Sequence, residues 1–99
     1  MVIEELHFRC EPDERDRFVE AEGLIWTRFL QTCDGFVRKE LWLPEDDPGL
    51  VVVMIWWASM ALWKAISADQ CAEVDARMGD WVRPVVFARA HLLARATTT

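Results

Sequence analysis

The sequence predicts an α+β domain in the chain order β-α-β-β-α-β, with two helical regions packed on one face of a four-stranded antiparallel sheet. Three observations carry this prediction. Residues 2–10, VIEELHFRC, alternate with a strand period. Between Pro12 and Cys33, apolar side chains recur at helical spacing. The run Gly49 to Trp63, GLVVVMIWWASMALW, changes from β-branched residues to Met, Ala, Leu and Trp after Ser59, so it reads as a buried strand running into a helix.

In the first strand, Glu4, Leu6, Phe8 and Cys10 point one way, and Ile3, Glu5, His7 and Arg9 the other. Leu6 and Phe8 mark the face packed on the helices. The opposite face is mixed, as expected of a surface that meets another subunit. Pro12 suits a first helical turn, and Asp13, Glu14 and Asp16 favour a helix N-terminus. Phe18, Ala21, Ile25 and Phe29 form the buried stripe, widened by Val19, Trp26 and Leu30; Glu20, Glu22 and Arg28 are expected to face away. Gly23 costs about 1 kcal/mol in mid-helix relative to Ala and is read as tolerated rather than required. Asp34-Gly35 stops the helix.

Residues 36–43, FVRKELWL, form the second strand. Val37, Lys39, Leu41 and Leu43 share one face, and Phe36, Arg38, Glu40 and Trp42 the other. The segment PEDDPG is a turn. The third strand, Leu50 to Trp57, is apolar on both faces and belongs mid-sheet. The second helical region is broken in two: Ser59 caps the first piece, and Ser67-Ala68-Asp69-Gln70 is a capping box for the second, which ends at Gly79. A last strand runs from about Trp81 to Arg95, with Pro84 arguing for an edge position, and Thr97 to Thr99 are a polar tail. This order is ferredoxin-like, with strands one and three central. The sheet face away from the helices would carry Phe36, Trp42 and part of strand three, so a homodimer with its sheets packed face to face is expected.

The chain has 99 residues, which suits one domain over 1–99. It is 53% hydrophobic with six Trp and five Phe, more large apolar surface than a core of this size hides. The surplus is expected to cover a partner subunit or line a pocket. A net charge of −6 argues against nucleic acid and anionic membranes as partners. The 14 residues from Leu50 to Trp63 fall short of the ~18 that a membrane span needs. The N-terminus has acids where a signal peptide needs basic residues, so a cytoplasmic location is expected. Cys10, Cys33 and Cys71 are odd in number, contain no CxxC and read as reduced thiols.

Chemical motifs are sparse. His7 and His91 lie on neighbouring strands, but only Glu5 and Cys10 are near in sequence, so they read as sheet-face histidines and not as a metal site. His7 has the right chemistry for a general base, with an ordinary pKa of about 6.5, but no orienting partner is visible. No phosphate loop, nucleophile elbow or carboxylate pair is present, so no cofactor is expected and no catalytic residue is assigned. Most of the tryptophans are expected in core and interface; Trp26 and Trp63, with Phe29, are placed in a cavity between the two helical regions and the sheet.

Asp34-Gly35-Phe36 opening strand two, Glu40-Leu41-Trp42 within it, Trp57-Ala58-Ser59 at the strand-three junction and Leu62-Trp63 beyond it carry a resemblance. So does the first strand, VIEELHF, leading into an acidic helix with Ile25-Trp26. Together these resemble the dimeric α+β barrel superfamily, specifically small bacterial proteins related to antibiotic biosynthesis monooxygenases. The resemblance covers nearly the whole chain. It implies a homodimer through the sheet face and a pocket for a small aromatic or apolar ligand. Cofactor-independent members set a Trp, an Asn, a Tyr and an Arg around that pocket. Trp63 and either Arg83 or Arg89 match two of these roles, but the chain has no Asn and no Tyr. Haem-degrading members use an Asn on strand one, a Trp on the second helix and a His further along. Here Leu6 takes the Asn place and Asp75 or Ala76 the His place, and residues 59–79 hold no His. Haem ligation by that residue is therefore not expected. The ligand-contact candidates are Leu6, His7, Trp26, Phe29 and Trp63. Two readings stand: a monooxygenase-like enzyme, or a non-enzymatic homodimer that binds a ligand or serves a structural role.

Overall fold

Strand alternation and β-branched runs become four strands: β1 (Val2–Arg9), β2 (Phe36–Trp42), β3 (Leu50–Trp57) and β4 (Val85–Leu92). A computed structural model describes residues 1–94, so the expected end of the last strand at Arg95 and the tail Thr97 to Thr99 lie outside the described residues. The sheet order is β2-β3-β1-β4, and every neighbouring pair is antiparallel. This is the ferredoxin-like α+β arrangement, with β1 and β3 central. β3 is nearly all buried, which is why it alone tolerates apolar residues on both faces.

The helices all cover one sheet face. The first helical region begins with a 3₁₀ turn (Pro12–Glu14), continues as α1 (Arg15–Glu22), passes through a π-helical turn (Gly23–Thr27) and ends as α2 (Arg28–Leu30). The second comprises α3 (Met60–Lys64) and α4 (Ala68–Met78). Both expected caps form. The Leu62 amide donates to Ser59 Oγ at 3.1 Å. The Gln70 amide donates to Ser67 Oγ at 3.1 Å, and the Ser67 amide donates back to Gln70 Oε1 at 2.9 Å. Gly79 closes α4 with φ 58°, a conformation that favours glycine. The core between the layers is built from Phe18, Leu30, Val51, Val53, Ile55, Trp57 and Met78. Among the described residues, no helix is long and apolar enough to cross a membrane.

Three local expectations are corrected. Glu22 does not face outward: it is 4% exposed. It lies one turn from both Phe18 and Trp26, so helical spacing puts it on the buried stripe, and Lys39 on β2 supplies the counter-charge that makes burial tolerable. Phe36 is not on the helix-free face. The β2–β3 register skips between Phe36↔Trp57 and Arg38↔Trp56, a bulge at Val37 that turns Phe36 towards the core. There Phe36 meets Trp57 edge-on at 6.3 Å. Trp42 does lie opposite Val52 on the helix-free face and is 48% exposed. The last strand starts later than expected, because a 3₁₀ turn takes up Gly79–Trp81 and Pro84 precedes β4. β4 is nonetheless an edge strand.

A tryptophan-lined cavity between helices and sheet

A cavity of about 570 Å³ separates the helices from the sheet. Leu6, Val53, Ile55 and Trp57 form part of its floor; Trp26 and Phe29 come from the first helical region and Trp63 from α3. Alternation delivers the floor residues, since Leu6 opposes Val53 across the β1–β3 ladder. Trp57 and Trp63 stack nearly parallel, 8° apart, with ring centroids 6.4 Å from each other. Trp26 meets Phe29 edge-on at 5.8 Å, and its Nε1 donates to Asp75 Oδ1 at 3.0 Å. That bond ties the π-helical turn to α4. Turns of this kind recur at functional sites because they re-aim side chains out of the α-helical register.

One part of the cavity wall is polar: Glu4 and Glu22 border the space, and Lys39, outside the lining, pairs with Glu22. Glu4 and Lys39 both oppose Ile55, from β1 and β2, so they share one row across the helix-side face. Glu4 Oε1 accepts from Trp57 Nε1 at 3.1 Å. Lys39 Nζ donates to Glu22 Oε1 and, at 2.9 Å, to Thr27 Oγ1. Burial pushes the Glu4 carboxyl up, against the opposing pull of the Trp57 hydrogen bond and of Lys64 and Lys39. Burial likewise pushes the Lys39 ammonium down, against Glu22 and Glu4. Cys71 also lines the space, and burial, then Asp75 and Glu4, raise its thiol, the opposite of what a nucleophilic thiolate requires.

Leu6, Trp26, Phe29 and Trp63 all border this cavity, whereas His7 does not. His7 is one residue on from Leu6 and so projects from the opposite sheet face. There its Nε2 lies 2.7 Å from Glu5 Oε2, its ring sits 4.6 Å from Phe87, and His91 Nε2 lies 2.8 Å from the other Glu5 oxygen. His91, then His7, hold the Glu5 carboxyl below its usual range. Of the two arginines, Arg83 borders the cavity, while Arg89 stacks over Phe87 on the opposite face at 5.1 Å. Among the described residues, no group of three or more His, Cys, Asp or Glu side chains is placed to hold a metal ion.

Sequence reasoning did not select Glu4, Glu22, Lys39 or Trp57 for this site. A signal was present: Glu4 shares a face with Leu6 and Phe8, and Lys39 shares one with Leu41, so opposite charges sit on two apolar strand faces.

No functionally curated protein matches the sequence. Solved structures match over the full fold. A candidate antibiotic biosynthesis monooxygenase from Deinococcus radiodurans is 13% identical, with TM-score 0.73 over 100% of this chain and 98% of that one. A monooxygenase from the gene ActVA-Orf6 of Streptomyces coelicolor, solved with the ligand Nanaomycin D, is 15% identical, with TM-score 0.71 over 99% and 90%. SnoaB from Streptomyces nogalater, a cofactor-independent oxygenase, is 17% identical, with TM-score 0.66 over 97% and 94%. At these identities the likeness establishes the fold. The sequence profile of one family, antibiotic biosynthesis monooxygenase, matches residues 1–69, and with the sheet order and helix placement above, the chain belongs to that family.

Proposed function

We propose that this protein binds a small, planar aromatic molecule in the tryptophan-lined cavity and oxidises it with dioxygen, without a cofactor. The observation that carries the reading is the cavity itself: its size suits a molecule of two or three fused rings, and Trp26, Phe29, Trp57 and Trp63 border it. The Nanaomycin D complex of the Streptomyces coelicolor monooxygenase and the cofactor-independent oxygenase of Streptomyces nogalater support it by analogy of fold. Leu6, Trp26, Phe29 and Trp63 are the proposed contacts, with Arg83 at the margin.

The test is oxygen uptake with a panel of anthrone-type hydroquinones. Turnover abolished by Trp63→Ala and retained by His7→Ala is the expected result. A second reading, ligand binding without turnover, is favoured by one observation. The chain contains no Asn and no Tyr, so two of the four pocket roles that the family resemblance implies are unfilled. Saturable binding of the same hydroquinones with no oxygen uptake would establish that reading in place of the first.

The working unit we propose is a homodimer through the helix-free sheet face. Trp42 and Phe87 on that face are 48% and 36% exposed, and Ile3 and Trp56 extend the apolar surface between them, which supports burial against a second copy.

A further inference from the structure

Glu22 is a buried acid with one oxygen accounted for and one not. Its Oε1 accepts from Lys39, and its Oε2 is fully buried with no hydrogen-bond partner among the described residues. The residue borders the cavity and is 4% exposed. A buried acceptor left unpaired is costly, the more so when charged, so such an oxygen marks a place where something else is meant to donate. The other acids of the cavity each have one oxygen engaged, Glu4 Oε1 by Trp57 and Asp75 Oδ1 by Trp26, and neither has a fully buried oxygen left unpaired. Lys39 neutralises Glu22, so the free oxygen is an acceptor within a pair of zero net charge. Lys64 and Arg83 border the space together with Glu4 and Asp75, so the lining carries both signs, and a neutral donor suits the unpaired oxygen.

We propose that Glu22 Oε2 orients the ligand by accepting a hydrogen bond from a neutral hydroxyl or N–H group on an aromatic ring, so that the cavity selects ring systems carrying such a donor over bare ones. The inference rests on the cavity being a ligand site, as proposed above, and holds whether or not the ligand is turned over. Lys39, which also donates to Thr27 Oγ1, fixes the carboxylate through its other oxygen, leaving Oε2 no need to reorganise when the ligand arrives. The placement follows from the fold. Glu22 is the last residue of α1, immediately before the π-helical turn, and Lys39 shares its sheet row with Glu4.

Quenching of tryptophan fluorescence provides the readout, with naphthalene and 1-naphthol as probes. Water exclusion alone favours naphthalene, the more apolar of the two. A preference for 1-naphthol therefore reports an acceptor, and at least tenfold tighter binding is expected. The double substitution Glu22→Leu with Lys39→Met removes the pair without stranding a charge. It should keep naphthalene affinity and abolish the preference, whereas Glu4→Gln should retain the preference. Equal affinities in the wild type, or a preference that survives the double substitution, would overturn the assignment of Glu22 alone. Saturable quenching by neither probe would overturn the cavity reading as well. Should the double variant fail to fold, the carboxylate infrared band of wild type assembled by ligation with ¹³C-glutamate at position 22 alone decides: it should shift with 1-naphthol and not with naphthalene, and an unshifted band rejects the proposal.

Discussion

Glu22 and Lys39 meet across the two layers with side-chain exposures of 6% and 3%, so neither charge has water to fall back on. Removing one partner strands the other. Glu22→Leu should cost about 3–5 kcal/mol of stability in urea unfolding, and adding Lys39→Met should restore most of it, because an apolar pair of similar volume carries no desolvation penalty. Glu4 makes a different prediction. Burial raises its folded-state pKa above the ordinary 4.5, so between these values the folded protein binds more protons than the unfolded one. The stability that protonated Glu4 permits is complete below 4.5 and is lost as pH rises through the folded value. Glu4→Gln keeps an acceptor for Trp57 Nε1 and removes the titration. Its melting temperature should therefore fall less than that of wild type as pH rises from about 4.5 towards neutrality.

Among the elements, the two pieces of the second helical region are held by different devices. Ser67 and Gln70 satisfy each other's orphan amides at the start of α4, so Ser67→Ala should lower stability by about 1 kcal/mol in a thermal melt. The start of α3, capped by Ser59, depends in addition on a close approach. A Cβ at Gly35 would lie 2.5 Å from Leu62 Cβ, while the Gly35 carbonyl accepts from the Ala58 amide at 2.8 Å. Neither group is the free end of a side chain, so Gly35→Ala must displace α3 from the start of β2. About 1–3 kcal/mol of destabilisation is expected, together with altered ligand quenching, because Trp63 rides on α3. The Asp34-Gly35 stop signal was thus legible in sequence for its role in ending a helix; its second role, making room for Leu62, was not.

For the whole molecule, the two sheet faces differ in character. The helix side encloses the cavity. The opposite side presents Trp56 under Arg38 at 4.4 Å, Phe87 against His7, and the hydrogen-bonded trio of Glu5, His7 and His91. Sedimentation velocity at micromolar concentration should give a dimer, and Trp56→Glu, placing a charge on that face, should shift it to monomer. A wild-type monomer under those conditions would defeat the proposed assembly.

Much of the architecture was readable from the chain, because backbone periodicity is a local property. Alternation in VIEELHFR, the all-apolar β3, the serine caps and the Gly79 stop each follow from interactions within a few residues, and together they give the element order and the central strands. Trp26, Phe29, Trp63 and Leu6 were nameable for the same reason, as large apolar side chains on faces that periodicity turns inward. What only the tertiary structure decided is where charge is buried. Glu22 has the spacing of a core residue and the chemistry of a surface one, and a residue 17 positions away, Lys39, resolves the conflict. The bulge at Val37 that moves Phe36 into the core is likewise a product of cross-strand register. Such pairings depend on which segments meet in space, and no window of sequence contains that information.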